Sequence, residues 1–163
     1  MHPDEPAAAK QLDWIPESLW NQIKEHIPIP CVDVILQKPG GEILLGWRQI
    51  LPYRNVWALP GGRLLRGEDL KTAARRILAE YDLSAHDFHL VGVFRIRFPS
   101  RSDVPICVAT RHPSGKAKPD GKEFSSFRWV KRLPIRLGAN YGRMIVRWRE
   151  MKKKPQALEF SKL

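Results

Sequence analysis

The sequence predicts an α+β fold in which a mixed β-sheet is sandwiched between α-helices, and three observations carry that expectation. Predicted elements run helix, two strands, loop, helix, three strands, helix, an order that forces mixed strand connections. Apolar residues recur at helical spacing in some stretches, while others are short, apolar and β-branched. The composition is ordinary for a globular chain: 163 residues, 43% hydrophobic and 28% charged, with 14 Pro and 11 Gly. It supports one buried core and excludes a collagen-like or wholly disordered chain.

The domain boundaries expected from these patterns are a flexible tail over 1–14, a single domain over 15–154 that includes an N-terminal helix, and a C-terminal tail over 155–163. Ile15, Leu19, Ile23 and Ile27 recur every four residues, with Pro16 suited to a first turn, so 16–26 reads as an amphipathic helix that Pro28 and Pro30 end. The runs CVDVILQ (31–37) and EILLGW (42–47), joined by Lys38-Pro39-Gly40-Gly41, read as a β-hairpin. Asp33 interrupts an apolar strand, where a carboxylate is costly unless it is paired or faces a cleft. Residues 49–60 read as a loop containing Trp57, and Gly61-Gly62 opens a second one. A helix over 68–80 follows, with Leu70, Ala73, Ala74, Ile77 and Leu78 on its apolar side. Strands are expected near 88–98, 104–110 and 126–130, with a Pro/Gly/Lys loop at 113–122 and a basic helix over 140–153.

Charge is unevenly distributed. Of the net +11, residues 1–90 hold 10 basic and 12 acidic groups, whereas 91–163 hold 18 basic and 5 acidic. Such a field attracts polyanions, and a solvated cationic face accounts for the same residues. No apolar run approaches the ~18 residues that a membrane helix needs. The opening MHPDEPAAAK lacks the apolar core of a secretory signal, so a cytoplasmic protein is expected. Cys31 and Cys107 read as two thiols in a reducing compartment, with a disulfide as the alternative.

The stretch with chemical content is Pro60-Gly61-Gly62-Arg63-Leu64-Leu65-Arg66-Gly67-Glu68, continuing into Arg75, Arg76 and Glu80. It resembles the box of the Nudix hydrolases, G-x5-E-x7-R-E-U-x-E-E-x-G-U with U bulky and apolar. Gly62, Glu68 and Arg76 match without a gap, and Glu80 falls on the first of two adjacent acids. Ile77, Tyr81 and Leu83 depart from the pattern. A second register makes Arg75 the box arginine and removes one helix residue, and Glu80 stays acidic in both. The flanking V-D-V-I-L, L-L-G-W-R, W-A-L-P-G-G-R and F-R-W runs are similar to the GDP-mannose hydrolase branch, with Asp33, Arg48, Trp57 and Arg63 in matching places.

That resemblance implies a Nudix fold and a hydrolase of a nucleoside diphosphate-linked substrate, a nucleotide sugar of the GDP-mannose kind, working with Mg2+ or Mn2+. Hard cations take oxygen ligands, and Gly61, Glu80 and Glu123 are the expected metal-binding residues. Asp33, Arg48, Arg63 and Arg76 are the expected substrate-binding residues, arginine being able to clamp phosphate oxygens bidentately. Glu123, Asp33 and Arg63 are the catalytic candidates, and Gly62 and Glu68 are structural members of the box. The branch places a His general base where this sequence has Phe124, which cannot take a proton, so Glu123 or Asp33 must serve instead. His89 and His112 qualify only if loops bring them in. The branch also implies a homodimer. Two other classes compete: a nucleotide-binding module without turnover, and a nucleic-acid-binding surface on the basic helix around Arg143, Arg147, Trp148, Arg149 and Lys152 to Lys154.

Overall fold

Strand β1 (Ile29–Leu36) organises the molecule, since both of its edges are paired and residues 32–36 are all buried. The computed structural model describes residues 15–151. The tails expected at 1–14 and 155–163, and residues 152–154 at the domain end, lie outside the described residues. Along one edge β1 pairs antiparallel with β4 (Gly61–Arg63), and along the other it pairs parallel with β8 (Arg101–Thr110). Strands β6 (His89–Val93) and β7 (Ile96–Phe98) each add to β8 antiparallel, completing a mixed five-stranded sheet.

A second, antiparallel sheet has the order β10 (Phe124–Val130), β2 (Ile43–Arg48), β3 (Val56–Ala58). A small pair joins β5 (Leu83–Ser84) to β9 (Ser114–Gly115). The helices are α1 (Glu17–His26), α2 (Leu70–Ala79) and α3 (Tyr141–Met151).

The α+β class and the mixed sheet stand as expected, while the strand partners differ. The tight turn at 38–41 forms, with Lys38 N donating to the Glu42 carbonyl at 2.9 Å and Gly41 at φ +93°. Beyond one bridge, Gln37 to Ile43, the predicted hairpin strands diverge into separate sheets. The cause is competition for edges: β1 already carries β4 and β8, and a strand has two edges only. The stretch 49–60 contains β3, and Gly61-Gly62 lies in an edge strand rather than a loop. The strand expected at 88–98 breaks at Phe94-Arg95 into β6 and β7, after a register shift between Leu90 and Gly92.

Helix α2 starts where the Asp69 carboxylate accepts from Thr72 N at 2.6 Å, an N-cap that satisfies an otherwise unpaired donor. It buries Ala73, Ala74, Ile77 and Leu78, and Ile77 lies against Gly62, the residue opposite Val32. Helix α3 covers the other face of β1 with Met144, Ile145 and Trp148, all fully buried. The Trp148 indole donates to Gln37 Oε1 at 3.0 Å and stacks on His89 at 5.9 Å.

The basic helix turns its apolar face to the core. Its tryptophan belongs to the core, while Arg147 and Arg149 donate to the Val91 and Lys131 carbonyls, both at 2.8 Å. Cys31 and Cys107 are free thiols, and burial pushes the Cys31 thiol up to about 12. Among the described residues, no helix is long and apolar enough to cross a membrane.

Replacing Trp148 by Ala should cost about 3–5 kcal/mol, since it empties a large core site and removes the indole N–H that Gln37 Oε1 accepts from. Denaturant unfolding of the variant measures this; a loss below 1 kcal/mol contradicts the placement.

Candidate active site

One face of the mixed sheet forms the floor of a cleft of about 450 Å³. Paired residues of neighbouring strands share a face, so the register puts Asp33, Gly61, Cys31, Arg63 and Asp103 on one side. The walls come from Arg48 at the end of β2, Glu123 just before β10, Glu80 after α2, Tyr141 at the start of α3 and Trp20 on α1. Residues 50–53 close one side.

Gly61 is required by a close approach, because a β-carbon there would overlap the Asp33 carboxylate and crowd the Val32 carbonyl. Ladder bonds from Val34 N to the Pro60 carbonyl (2.8 Å) and from Leu64 N to the Pro30 carbonyl (3.0 Å) alternate along β4. That alternation turns the Gly61 and Arg63 carbonyls away from β1, toward the outer edge.

The Arg76 guanidinium ties this edge together. Its Nε donates to Glu68 Oε1 at 2.6 Å, and its Nη2 donates to Glu68 Oε2 at 3.0 Å and to the Arg63 carbonyl at 2.9 Å. Its Nη1 reaches Glu80 Oε1 at 3.5 Å. Glu68 Oε2 also accepts from Leu65 N at 3.0 Å, so this carboxylate pins the loop to α2, and the Arg76 hydrogen bonds hold it below its usual range. Arg76 fills the box position in the ungapped register, while Arg75 is exposed. Glu68 and Gly62 therefore stand where structural members of the box were expected, and Arg76 is largely committed to protein partners.

The carboxylates differ sharply in environment. Asp33 is buried, and desolvation pushes it up to about 7 against the pull of Arg48, with Asp103 and Glu123 adding repulsion. Glu123 forms an ion pair with Arg48, whose guanidinium also donates to the Ile50 (3.3 Å) and Leu51 (3.4 Å) carbonyls. Burial raises the Glu123 carboxyl, with the charges of Asp120 and Glu80 adding to the shift. Burial raises Glu80 as well, opposed by Arg76 and reinforced by Asp120. The Asp120 carboxylate accepts from Lys122 N, Glu123 N and Phe124 N at 3.1, 3.0 and 2.9 Å, and so sets the backbone that presents Glu123.

Among the described residues, no group of three His, Cys, Asp or Glu converges as a metal cluster. Glu80 and Glu123 share the cleft with Gly61 and repel one another, a pair of hard oxygen donors with excess negative charge. A donor set of that size suits Mg2+, which protein binds through one or two carboxylates while water and phosphate oxygens complete the octahedron. The residues present fit such an ion.

Tyr81, at a box position that is acidic in the motif, and Phe124, where the branch has its His, meet in one aromatic cluster. Phe124 and Tyr81 stand with ring centroids 5.4 Å apart, and Phe127 lies 5.1 Å from Tyr81 and 5.2 Å from Phe124. Phe124 is fully buried, its ring over Gly46, where a β-carbon would collide with it. His89 and His112 are absent from the cleft lining.

Sequence reasoning missed four residues. Asp103 is buried and takes Arg101 Nη2 at 2.8 Å, Tyr141 is buried at the cleft wall, Asp120 shapes the Glu123 turn, and Trp20 stacks 4.4 Å from the Arg63 guanidinium. Asp103 had the same signal as Asp33, an acid inside an apolar strand.

With fold and cleft described, the comparisons place the chain. The NUDIX domain family matches residues 28–145. The chain belongs to the Nudix hydrolases, a family that acts on nucleoside diphosphate-linked compounds. It is 36% identical over 73 residues to the low-salt glycan biosynthesis protein Agl8 of Haloferax volcanii, covering 45% of this chain and 46% of that one. The chain thus spans about half the length of that relative. It is 34% identical over 116 residues to the "Putative 8-oxo-dGTP diphosphatase" of Bacillus subtilis, covering 69% and 74% of the two chains. Among solved structures, the NUDIX domain of Shewanella oneidensis NrtR complexed with ADP ribose superposes with a TM-score of 0.65 at 19% identity, over 85% of this chain and 99% of that one.

The Asp33 environment has a consequence for stability. Its folded value lies above its unfolded one, so the folded state holds the extra proton between about pH 4 and 7, and stability falls as pH rises through that window. Asp33→Asn should flatten this segment and be the more stable protein at pH 8. Denaturant midpoints at a series of pH values test it, and an unchanged slope counts against a buried, protonated Asp33.

Proposed function

We propose that this chain hydrolyses a nucleoside diphosphate-linked substrate with Mg2+ or Mn2+, and that the substrate is a nucleotide sugar of the GDP-mannose kind. One observation carries the reading: a buried carboxylate, Asp33, lies over Gly61 in a cleft that also holds Arg48, Arg63, Glu80 and Glu123. The name of the Haloferax relative supports the sugar, and that of the Bacillus relative supports a phosphorylated nucleoside.

Gly61 through its carbonyl, with Glu80 and Glu123, would hold the ion, which when bound would stabilise charge on the departing diphosphate. Arg63 presents its guanidinium to phosphate oxygens with its plane supported by Trp20. Arg48 holds Glu123 and is the second phosphate-binding arginine, and Arg76 orients Glu80 from the far side. Asp33 is the proton acceptor of this reading, since a carboxyl near 7 exchanges protons at neutral pH, and Glu123 is the alternate. The protein is cytoplasmic in this reading. It is also a homodimer: α1 buries no residue and leaves Leu19 and Ile27 about half exposed, an apolar face suited to a second copy. A second reading, a nucleotide-binding module without turnover, draws on the small carboxylate set and the loss of the branch histidine at Phe124.

Incubation with a nucleotide-sugar panel and Mg2+ or Mn2+ separates the two. Free sugar with nucleoside diphosphate indicates attack at carbon, sugar phosphate with nucleoside monophosphate indicates attack at phosphorus, and binding without products selects the module. Glu80→Gln should raise the metal concentration for half-maximal activity at least tenfold, and an unchanged metal titration removes Glu80 from the site. Phe124→His should lower stability by about 1–3 kcal/mol and leave turnover no higher, because the imidazole enters an aromatic core rather than the cleft. A gain in turnover contradicts that placement.

A further inference from the structure

Behind the Tyr81–Phe124–Phe127 cluster lies a second groove, of about 550 Å³, that plays no part in the proposed hydrolysis. Phe127 belongs to both the cluster and the groove, packing on Tyr81 and lining the groove. Their electrostatics differ. The cleft mixes acids with arginines, whereas among the described residues the groove is lined by Lys38, Arg111, Lys116 and His112 with no Asp or Glu.

Asp82, next to Leu83, is exposed to solvent, and two other acids close in the chain are engaged elsewhere. Glu42 lies 3.8 Å from Lys131, and Asp87 Oδ1 accepts from Thr110 Oγ1 at 2.9 Å. The cations are placed by the fold. Arg111 stacks 4.9 Å from the buried Trp148 ring. Lys116 follows Gly115, whose φ of +94° and contact with the Asp82 carbonyl admit no side chain and hold β9 against β5. Half-buried Trp129, paired with Leu44, contributes an aromatic face, over which Lys38 Nζ stands at 4.5 Å.

We propose that this groove is a second binding site, for a nucleotide unit whose base stacks on Trp129 and whose phosphates meet Lys38, Arg111 and Lys116. Aromatic face plus convergent cations is the chemistry that single-stranded nucleic-acid and nucleotide sites use. A base stacked on an aromatic ring outweighs the exposed Lys38 contact with the same ring, so Lys38 gives up the ring and turns to phosphate. The inference is independent of the hydrolase reading and survives or fails without it.

Fluorescence anisotropy tests it with two probes, a labelled single-stranded RNA of about ten nucleotides and a fluorescent ADP analogue. Binding should weaken with salt at a log–log slope near −2 for the RNA, as about three phosphate contacts require. Trp129→Ala should weaken it about 5- to 150-fold. Lys116→Glu should weaken it and flatten the salt slope, with an unchanged thermal midpoint confirming the fold. Arg66→Gln, an exposed position that lines neither cavity, should bind both probes as the wild type does. Loss for both probes assigns the site to a free nucleotide, and loss for the RNA alone assigns it to a strand. Wild-type binding in Trp129→Ala and Lys116→Glu, or no binding of either probe at low salt, overturns the proposal.

Discussion

Everything in this molecule that bears on function depends on β1 being enclosed. Its partners β4 and β8 fix which residues share a face, and α2 and α3 cover the two sides. Enclosure puts Asp33 out of water, and desolvation then moves its ionisation toward neutrality. The same enclosure brings β4 so close that only glycine fits opposite Asp33. A carboxylate of altered acidity and a backbone edge able to face a ligand thus have one common cause.

The Arg76 fork is the second constraint. A planar guanidinium reaches the Glu68 carboxylate through two nitrogens, the Arg63 carbonyl and Glu80. Lysine offers a point charge and would reproduce none of that geometry. The spacing of Glu68 and Arg76 in the sequence thus becomes a knot of hydrogen bonds that ties the loop to α2 and to the β4 edge.

How much of this the sequence disclosed varied with the range of the interaction. Helix α2 and its apolar face were legible because periodicity and capping are local. Asp33, Arg48, Gly61, Arg63, Arg76, Glu80 and Glu123, all in the cleft lining, were legible through the box and its flanks. Strand pairing was not, since the 38–41 turn is a genuine hairpin signal and only the competition of β4 and β8 for β1 sends β2 elsewhere. Asp103 and Tyr141 were missed because their place in the cleft depends on parallel pairing across more than 70 residues and on the start of α3. The basic helix was open to two readings because its aromatic and basic residues fit a packed face and a charged surface alike, and burial places Trp148 in the core.

The contact between Tyr81 and Phe124 also couples two distant stretches of chain, the end of α2 and the start of β10. Each ring forms part of the other's surroundings, with Gly46 leaving room for the Phe124 side chain. The Tyr81 hydroxyl is buried there without a hydrogen-bond partner, so the ring contacts must offset its desolvation. A change at either position therefore alters the value of the other, and the two behave as one packing unit.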